Sequence, residues 1–268
     1  MHFSLRFLPL FMRRLFLILY TLWATFWFVG IFLLLFPAMY VFLQREAWKP
    51  YAHYCNRLWG KLFFPLIGMP VKVTHEFRPN PHQTYVFCAN HFSYLDIAAM
   101  GLILENYYAF VGKSDVKKVP LFGYMFAKLH IQVDRNDPGS RTKSLQRSLK
   151  ALQRGRSVVI FPEGGIRAEQ PPKMHQPFQN GAFVMAIEQQ VPIVPISLLN
   201  TYRRLPDRTK IRLHPGSVRA IIHAPISTLG LTQDDAPALK ERVFQVIDQA
   251  LTGIESPKRT GRRAQARR

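Results

Sequence analysis

The sequence holds a histidine and an aspartate that could act together as a base. His91 and Asp96 lie in the run NHFSYLD at residues 90–96. A histidine takes up a proton near neutral pH, and a carboxylate bonded to its other ring nitrogen fixes its tautomer and orientation. On a regular helix the two side chains would point about 140° apart, so the pair needs an irregular turn. Ser93 could be a nucleophile, but no G-x-S-x-G motif surrounds it.

A second group of polar residues follows a later apolar run. The sequence FPEGG at residues 161–165 comes directly after SVVIF at 157–161, and Arg167 follows two residues later. Proline and paired glycines favour a tight turn that exposes backbone N–H groups and aims Glu163 into a crevice. Arg167, and Arg135 after IQVD, could hold a phosphate. An ordinary turn and a surface ion pair remain the simpler interpretations of these fragments.

The elements that would position these residues alternate between strands and helices. Apolar runs predict strands at residues 84–89, 107–111, 131–134, 157–161 and 191–199, and two late strands within 211–222 around a Pro-Gly turn. Helices are predicted at 97–104, 120–129, 140–155 (with a serine cap), 179–190 and 234–252. This alternation predicts an α/β fold with a mixed, largely parallel sheet flanked by helices, whose strand-end turns form the ligand crevice.

The N-terminal part favours a membrane. Residues 15–43 contain no ionisable side chain except tyrosine, and this run is longer than the 18 or so residues that suggest a membrane helix. A tilted span and a hairpin broken at Gly30 and Pro37 both fit, whereas a signal peptide fits less well. Residues 46–68 form an amphipathic pattern, either a helix in the headgroup region or one packed on the soluble core.

The positive net charge of the chain indicates an anionic partner. The 268 residues include 36 Lys and Arg against 16 Asp and Glu, a net charge of +20. Nucleic acid, an anionic membrane, an acidic carrier protein and a phosphorylated substrate all satisfy that excess. Two cysteines, Cys55 and Cys88, are too few for a disulfide framework, and no zinc-binding pattern is visible. The predicted organisation is an anchoring segment at 1–67, a globular domain at 68–254 and a basic, disordered tail at 255–268.

The motifs in combination resemble those of the glycerolipid acyltransferase family, which includes the 1-acylglycerol-3-phosphate acyltransferases. They are NHFSYLD, GKSDVKKVPLFG, VDR, FPEG and VPIVPI, in that order, over about residues 70–225. The resemblance implies an α/β sandwich, often preceded by membrane-associating helices.

The resemblance also implies roles for individual residues. His91 would deprotonate the acceptor hydroxyl and Asp96 would orient it, and the hydroxyl would attack an acyl thioester directly. Arg135 would bind the acceptor phosphate with help from Lys113. The other substrate-binding positions implied are Asn90, Glu163, Gly164, Gly165 and Arg167. Neither a metal nor a cofactor is implied.

Two departures from the family pattern affect the acceptor site. The family commonly reads FPEGTR, whereas Gly165 replaces the threonine here, Ile166 stands at the arginine position and Arg167 comes one residue late. His130 stands where glycine is common. Both departures therefore bear on the identity of the acceptor and not on the reaction.

The sequence thus predicts a membrane-bound acyltransferase that moves a fatty acyl chain from acyl-CoA or acyl carrier protein to lysophosphatidic acid, giving phosphatidic acid. It would sit at the cytoplasmic (inner) membrane with its catalytic domain on the cytosolic side, against anionic lipids. The alternatives are another lysolipid or an acylated amino-acid lipid as acceptor, and a lipid hydrolase that uses the same pair with water. Nucleic-acid binding is disfavoured because no recognition motif for it appears.

Overall fold

The computed structural model describes residues 9–166, 173–207 and 211–255. Its centre is a seven-stranded sheet in the order β1-β7-β6-β2-β5-β3-β4. The strands are β1 Val71–His75, β2 Val86–Ala89, β3 Tyr108–Lys113, β4 Ile131–Val133, β5 Ser157–Ile160, β6 Ile193–Leu198 and β7 Val218–Ile222. The helices are α1 Leu10–Phe42, α2 Lys49–Leu66, α3 Leu95–Ile103, α4 Phe122–Leu129, α5 Pro138–Gln153, α6 Gly181–Glu188, α7 Thr201–Arg204 and α8 Ala236–Glu255.

Five strands of the sheet run in the same direction. β6, β2, β5, β3 and β4 are parallel neighbours, whereas β7 is antiparallel to β6 and parallel to β1. The carboxyl ends of the five parallel strands therefore meet at one edge of the sheet, here called the carboxyl edge. The predicted mixed, largely parallel sheet flanked by helices is confirmed.

Alternate side chains of the strands supply two cores. Phe87 and Ala89 of β2 face a cluster that includes residues of α1, α2 and α3. Val86 and Cys88 face the other side, where α6 and α8 contribute Phe183 and Val243 among others. Because β2 is buried on both faces, its sequence is a continuous apolar run rather than an alternating one.

The five separate strands predicted before residue 200 are confirmed, with shifts of one or two residues at their ends. The prediction of two late strands is wrong in part, because residues 211–217 form no strand and only β7 follows the Pro-Gly turn. The predicted serine cap of α5 is also wrong. Asp137 caps this helix instead, since its carboxylate accepts hydrogen bonds from the backbone N–H groups of Gly139 and Ser140.

The first helix is continuous. α1 has 33 residues, which makes it about 50 Å long, and neither Gly30 nor Pro37 breaks it, so the hairpin broken at these residues is wrong. Its buried residues form one stripe at seven- or eight-residue spacing: Leu17, Ala24, Ile31 and Met39. Most of its other large apolar side chains are exposed. In the part of the chain that the structure describes, it is the one helix long and apolar enough to cross a membrane.

The second helix packs against both α1 and the domain. The Tyr20 hydroxyl of α1 donates to the carbonyl of Ile67 at 2.8 Å, and the Trp59 indole donates to the carbonyl of Phe28 at 3.0 Å. Phe63 and Phe64 of α2 belong to the same core cluster as the sheet. The interpretation of residues 46–68 as a helix packed on the soluble core is thus confirmed, while Tyr51, Tyr54, Leu62 and Leu66 stay exposed.

Candidate active site

Asn90 ties the first motif to the sheet. Its side-chain amide donates to the carbonyl of Leu198 at 3.0 Å, and its side-chain oxygen accepts from the N–H of Leu198 at 2.7 Å. These bonds extend the pairing of β2 with β6 by one residue beyond Ala89. They hold the start of the turn at the carboxyl edge, so the contacts give Asn90 a positioning role, and substrate binding by its side chain stays a prediction.

His91 and Asp96 meet across the turn between β2 and α3. The Nδ1 atom of His91 lies 3.0 Å from Oδ2 of Asp96, and both residues are buried. The same carboxylate oxygen accepts from the backbone N–H groups of Phe92 at 2.8 Å and Ser93 at 2.9 Å. An ionised carboxylate only accepts hydrogen bonds, so Nδ1 carries the proton. This leaves Nε2 as the basic atom of the ring, and no described residue forms a hydrogen bond with it.

The imidazole is also held by packing. Its ring stacks on Phe161 with centroids 4.1 Å apart and planes 16° from parallel. Phe161 in turn stacks on Phe110 of β3 at 6.2 Å. The histidine is therefore fixed by a carboxylate at one nitrogen and by an aromatic face. The sequence singled out Phe161 only as the end of a strand and the start of the FPEGG motif, and nothing in its local pattern showed this contact.

Ser93 is occupied by a structural bond. Its hydroxyl donates to the carbonyl of Leu205 at 2.7 Å and accepts from the N–H of Leu95 at 3.1 Å. The side chain caps the entry to α3 and connects it to the segment after α7. A buried hydroxyl engaged in this way does not suit a nucleophile.

Glu163 links two loops beneath the site. One carboxylate oxygen accepts from the backbone N–H of His91 at 2.7 Å, and the other accepts from the backbone N–H of His175 at 3.0 Å. The residue is buried. Gly164 follows with a φ of +79°, a conformation that favours glycine. These contacts make Glu163 a support for the backbone at His91, while direct contact with the acceptor stays a prediction.

Arg135 reaches the same turn from β4. Its Nη1 atom would lie 3.4 Å from a Cβ atom built on Gly165. The guanidinium is half-buried, and removal from water lowers the pKa of Arg135 from its usual value. No ion pair within the described residues neutralises it. A half-buried, unpaired cation is an arrangement suited to an anionic substrate group.

The remaining predicted site residues are less closely involved. Lys113 ends β3 at the carboxyl edge, but its side chain is exposed and forms an ion pair with Asp115 at 2.7 Å. Arg167 lies outside the described residues, so its predicted role stays open. The Leu198 backbone was not predicted to take part in positioning the site, because a residue 108 positions away in sequence leaves no local signal.

The arrangement can remove a proton from a hydroxyl. His91 is an imidazole held by a buried carboxylate, and among the described residues no serine or cysteine side chain forms a hydrogen bond with its ring. Both cysteines are buried, and burial raises the pKa of Cys88 far above its usual range. The described residues contain no cluster of three or more potential metal ligands.

Comparison with known proteins agrees with this chemistry. The Acyltransferase family profile matches residues 70–199. A chloroplastic 1-acyl-sn-glycerol-3-phosphate acyltransferase of Brassica napus is 31% identical over 189 residues, which are 70% of this chain and 54% of that protein. The alpha 1-acyl-sn-glycerol-3-phosphate acyltransferase of Homo sapiens is 31% identical over 179 residues, 66% of this chain and 61% of that protein. The chain thus spans about half to three-fifths of the length of these relatives.

A solved structure shares the fold. The 1-acyl-sn-glycerophosphate (LPA) acyltransferase PlsC of Thermotoga maritima superposes with a TM-score of 0.72 at 23% sequence identity, covering 92% of this chain and 98% of that one. The family profile covers β1 to β6 and includes every residue of the site described above. Through this domain, the chain belongs to the glycerolipid acyltransferase family.

Proposed function

We propose that the protein transfers a fatty acyl chain from an acyl thioester to lysophosphatidic acid and so forms phosphatidic acid in phospholipid synthesis. The observation that carries this is the buried His91–Asp96 pair, whose Nε2 forms no hydrogen bond with any described residue, beside a Ser93 hydroxyl that is already engaged. The names of the relatives support the acceptor.

The reaction needs one proton carrier. Nε2 of His91 takes the proton of the acceptor hydroxyl, and the oxygen attacks the thioester carbonyl carbon. The tetrahedral intermediate then collapses, a carbon–oxygen ester bond replaces the carbon–sulfur bond, and the leaving thiolate takes the proton from His91. Asp96 stabilises the imidazolium that forms between these steps.

Arg135 supplies the charge for recognition. The acceptor phosphate would bind its guanidinium beside the turn at Gly165. The donor is acyl-CoA or acyl carrier protein, and the excess of basic residues suits either, because both are acidic. We expect no metal and no cofactor, since direct transfer from a thioester needs neither.

The setting is a membrane. α1 exposes apolar side chains over most of its length, and both the acceptor and the product are lipids. We place the protein at the cytoplasmic (inner) membrane with its catalytic domain on the cytosolic side, where thioester donors and anionic lipid headgroups are both present.

The test uses the full chain in detergent with lysophosphatidic acid and either donor, following thiol release and lipid product. His91→Ala is compared with His82→Ala, which changes an exposed histidine before β2. Phosphatidic acid that disappears only in His91→Ala supports the proposal. Thiol release without acceptor would instead indicate the hydrolase, and activity only with another lysolipid or an acylated amino-acid lipid would replace the acceptor.

A further inference from the structure

Exposed apolar side chains of the globular domain gather at the carboxyl edge. In the described residues after β1, five large hydrophobic side chains are exposed: Tyr94, Val119, Leu121, Ile211 and Leu229. Tyr94 follows β2, and Val119 and Leu121 lie between β3 and α4. Leu229 lies at the opposite edge, since its neighbour Thr228 donates to the carbonyl of Val191, just before β6. Apolar exposure thus favours the edge that holds the site.

The loop between β3 and α4 contains a strained turn at Leu121. Leu121 has a φ of +57° and a ψ of −51°, and the N–H of Phe122 donates to the carbonyl of Pro120 at 2.6 Å. These values match the strained form of the γ-turn. Gly123 permits the turn, because a Cβ atom there would lie 2.3 Å from the carbonyl oxygen of Lys117. Strain of this kind persists only where the surroundings enforce it, so the outward position of Leu121 is a built feature.

The segment is also basic. Residues 113–128 contain four lysines and one acidic residue, Asp115. Asp115 is already paired with Lys113 at 2.7 Å and with Lys118 at 2.8 Å. Lys117 is exposed and forms no ion pair with any described residue. Positive charge beside exposed apolar side chains matches the interface of an anionic bilayer.

The end of the basic segment, at residues 122–124, packs against α1. Phe122 packs on Phe32 of α1 with ring centroids 6.0 Å apart. Tyr124 stacks on Tyr40 at 5.6 Å, and its hydroxyl accepts from Gln44 at 3.1 Å. The loop at residues 117–121 therefore adjoins the candidate membrane helix on one side and the end of β3 on the other.

We propose that this loop, residues 117–121, is a second membrane contact, in which Val119 and Leu121 enter the interface of an anionic bilayer and Lys117 and Lys118 meet its headgroups. This contact would hold the opening of the site at the carboxyl edge against the bilayer, in addition to the contact made by α1. The proposal rests on the proposed function for its purpose, because a lipid acceptor must pass from the bilayer to His91.

The direct test measures the depth of the loop. A polarity-sensitive fluorophore is attached to Leu121→Cys or, as the matched control, to Leu229→Cys in the full chain, reconstituted in vesicles of phosphatidylcholine and phosphatidylglycerol. The native cysteines are buried and should react little. We expect the probe at 121 to be quenched by brominated lipid chains and protected from aqueous iodide, and the probe at 229 to show the reverse. Equal iodide quenching at both positions would overturn the proposal.

Activity gives a second and independent measurement. Leu121→Asn removes the apolar side chain and keeps a residue type that adopts positive φ more often than leucine does. Its activity in detergent shows whether the variant folds, so a loss confined to vesicles does not reflect misfolding. We expect its activity on lysophosphatidic acid in anionic vesicles to fall roughly tenfold relative to its activity in detergent, while Leu229→Asn leaves this ratio unchanged. An unchanged ratio in Leu121→Asn would contradict the proposal.

The two measurements separate the proposals from each other. Probe depth does not depend on turnover, so an inactive wild type would overturn the proposed function alone. A probe at 121 that stays open to iodide on vesicles, and becomes shielded only when acyl carrier protein is added without lipid, would assign the loop to a protein partner instead and overturn the membrane contact.

Discussion

Two histidine–carboxylate pairs lie on this sheet among the described residues, one at the end of β2 and the other at the end of β7. His91 pairs with Asp96 at the carboxyl edge, with 3.0 Å between nitrogen and oxygen. His223 follows β7 and pairs through Nδ1 with Glu76 at 3.0 Å, while its Nε2 lies 2.8 Å from the hydroxyl of Ser197. By residue type, the second group has the composition of a complete serine hydrolase triad and the first does not.

The two histidines differ in how many of their ring nitrogens are already hydrogen-bonded. Both ring nitrogens of His223 are engaged, and Ser197 is fully buried in β6. The side chain of Glu76, by contrast, is 51% exposed to solvent. His91 has a buried carboxylate and a second nitrogen that no described residue occupies. A histidine with both nitrogens satisfied joins strands together, whereas one with a free nitrogen at a strand end can take a proton.

Removing each histidine tests this comparison most strongly. We expect His91→Ala to lower kcat roughly a thousandfold, the usual contribution of a positioned general base, with little change in the folded structure. We expect His223→Ala to leave kcat within a few-fold and to destabilise the fold by about 1–3 kcal/mol, because the buried hydroxyl of Ser197 loses its partner. Steady-state kinetics and urea unfolding of both variants give the measurement, and a comparable loss of kcat in both would break the distinction.

Changing each carboxylate sharpens the comparison. In Asp96→Asn the amide can no longer enforce a proton on Nδ1 of His91, so we expect kcat to fall about a hundredfold or more. Glu76→Gln changes a half-exposed group directly after β1, and we expect activity to stay unchanged and stability to shift by about 0.5 kcal/mol or less. Full activity in Asp96→Asn would show that the carboxylate does not orient the base.

A third histidine, His53, lacks a carboxylate altogether. It is buried against Tyr107 and Tyr108, with ring centroids 5.5 and 4.5 Å away. Burial, assisted by the charge of Arg156, lowers the pKa of His53 to about 4. Below the unfolded pKa of about 6.5 the unfolded chain takes up a proton that the folded chain resists. Stability therefore falls as the pH drops from about 6.5 to about 4, by roughly 3 kcal/mol in total.

The measurement is urea unfolding across that pH range for wild type and His53→Leu. Since the carboxylates titrate in both proteins, the difference between the two pH slopes isolates His53. We expect the variant to lose less stability on acidification. Identical slopes would show that His53 is protonated without cost in the folded state.

Local pattern was enough to place the candidate catalytic pair but not the residues that support it. The apolar run before Asn90 and the helical pattern after it placed His91 and Asp96 in a strand-to-helix turn, as observed. The bonds of Asn90 to Leu198 depend on β6 lying beside β2, and the order of strands in a sheet leaves no signal in either segment. The same reason explains why the stacking of His91 on Phe161 was missed.

The N-terminal helix shows a different limit. Gly30 and Pro37 are helix-weakening residues, yet α1 continues through both. Its buried stripe is held against α2, the sheet and α4 by residues such as Ala24, Ile31 and Met39. Tertiary packing along the helix outweighs a local cost of about 1 kcal/mol for glycine and about 3 kcal/mol for proline. The apolar composition predicted a membrane-type helical segment, but it did not show that this segment forms one unbroken helix.

The smallest expected effect concerns binding rather than chemistry. Arg135 carries the only cation placed against the turn at Gly165 in the described residues, so Arg135→Ala should raise KM for the phosphate-bearing acceptor about ten- to a hundredfold, with kcat changed less. Arg219→Ala, on the exposed side of β7, is the matched control for lost positive charge and should leave KM unchanged. If Arg135→Ala lowered kcat and spared KM, the guanidinium would serve the transition state instead, and the carboxyl edge would hold two groups engaged in chemistry.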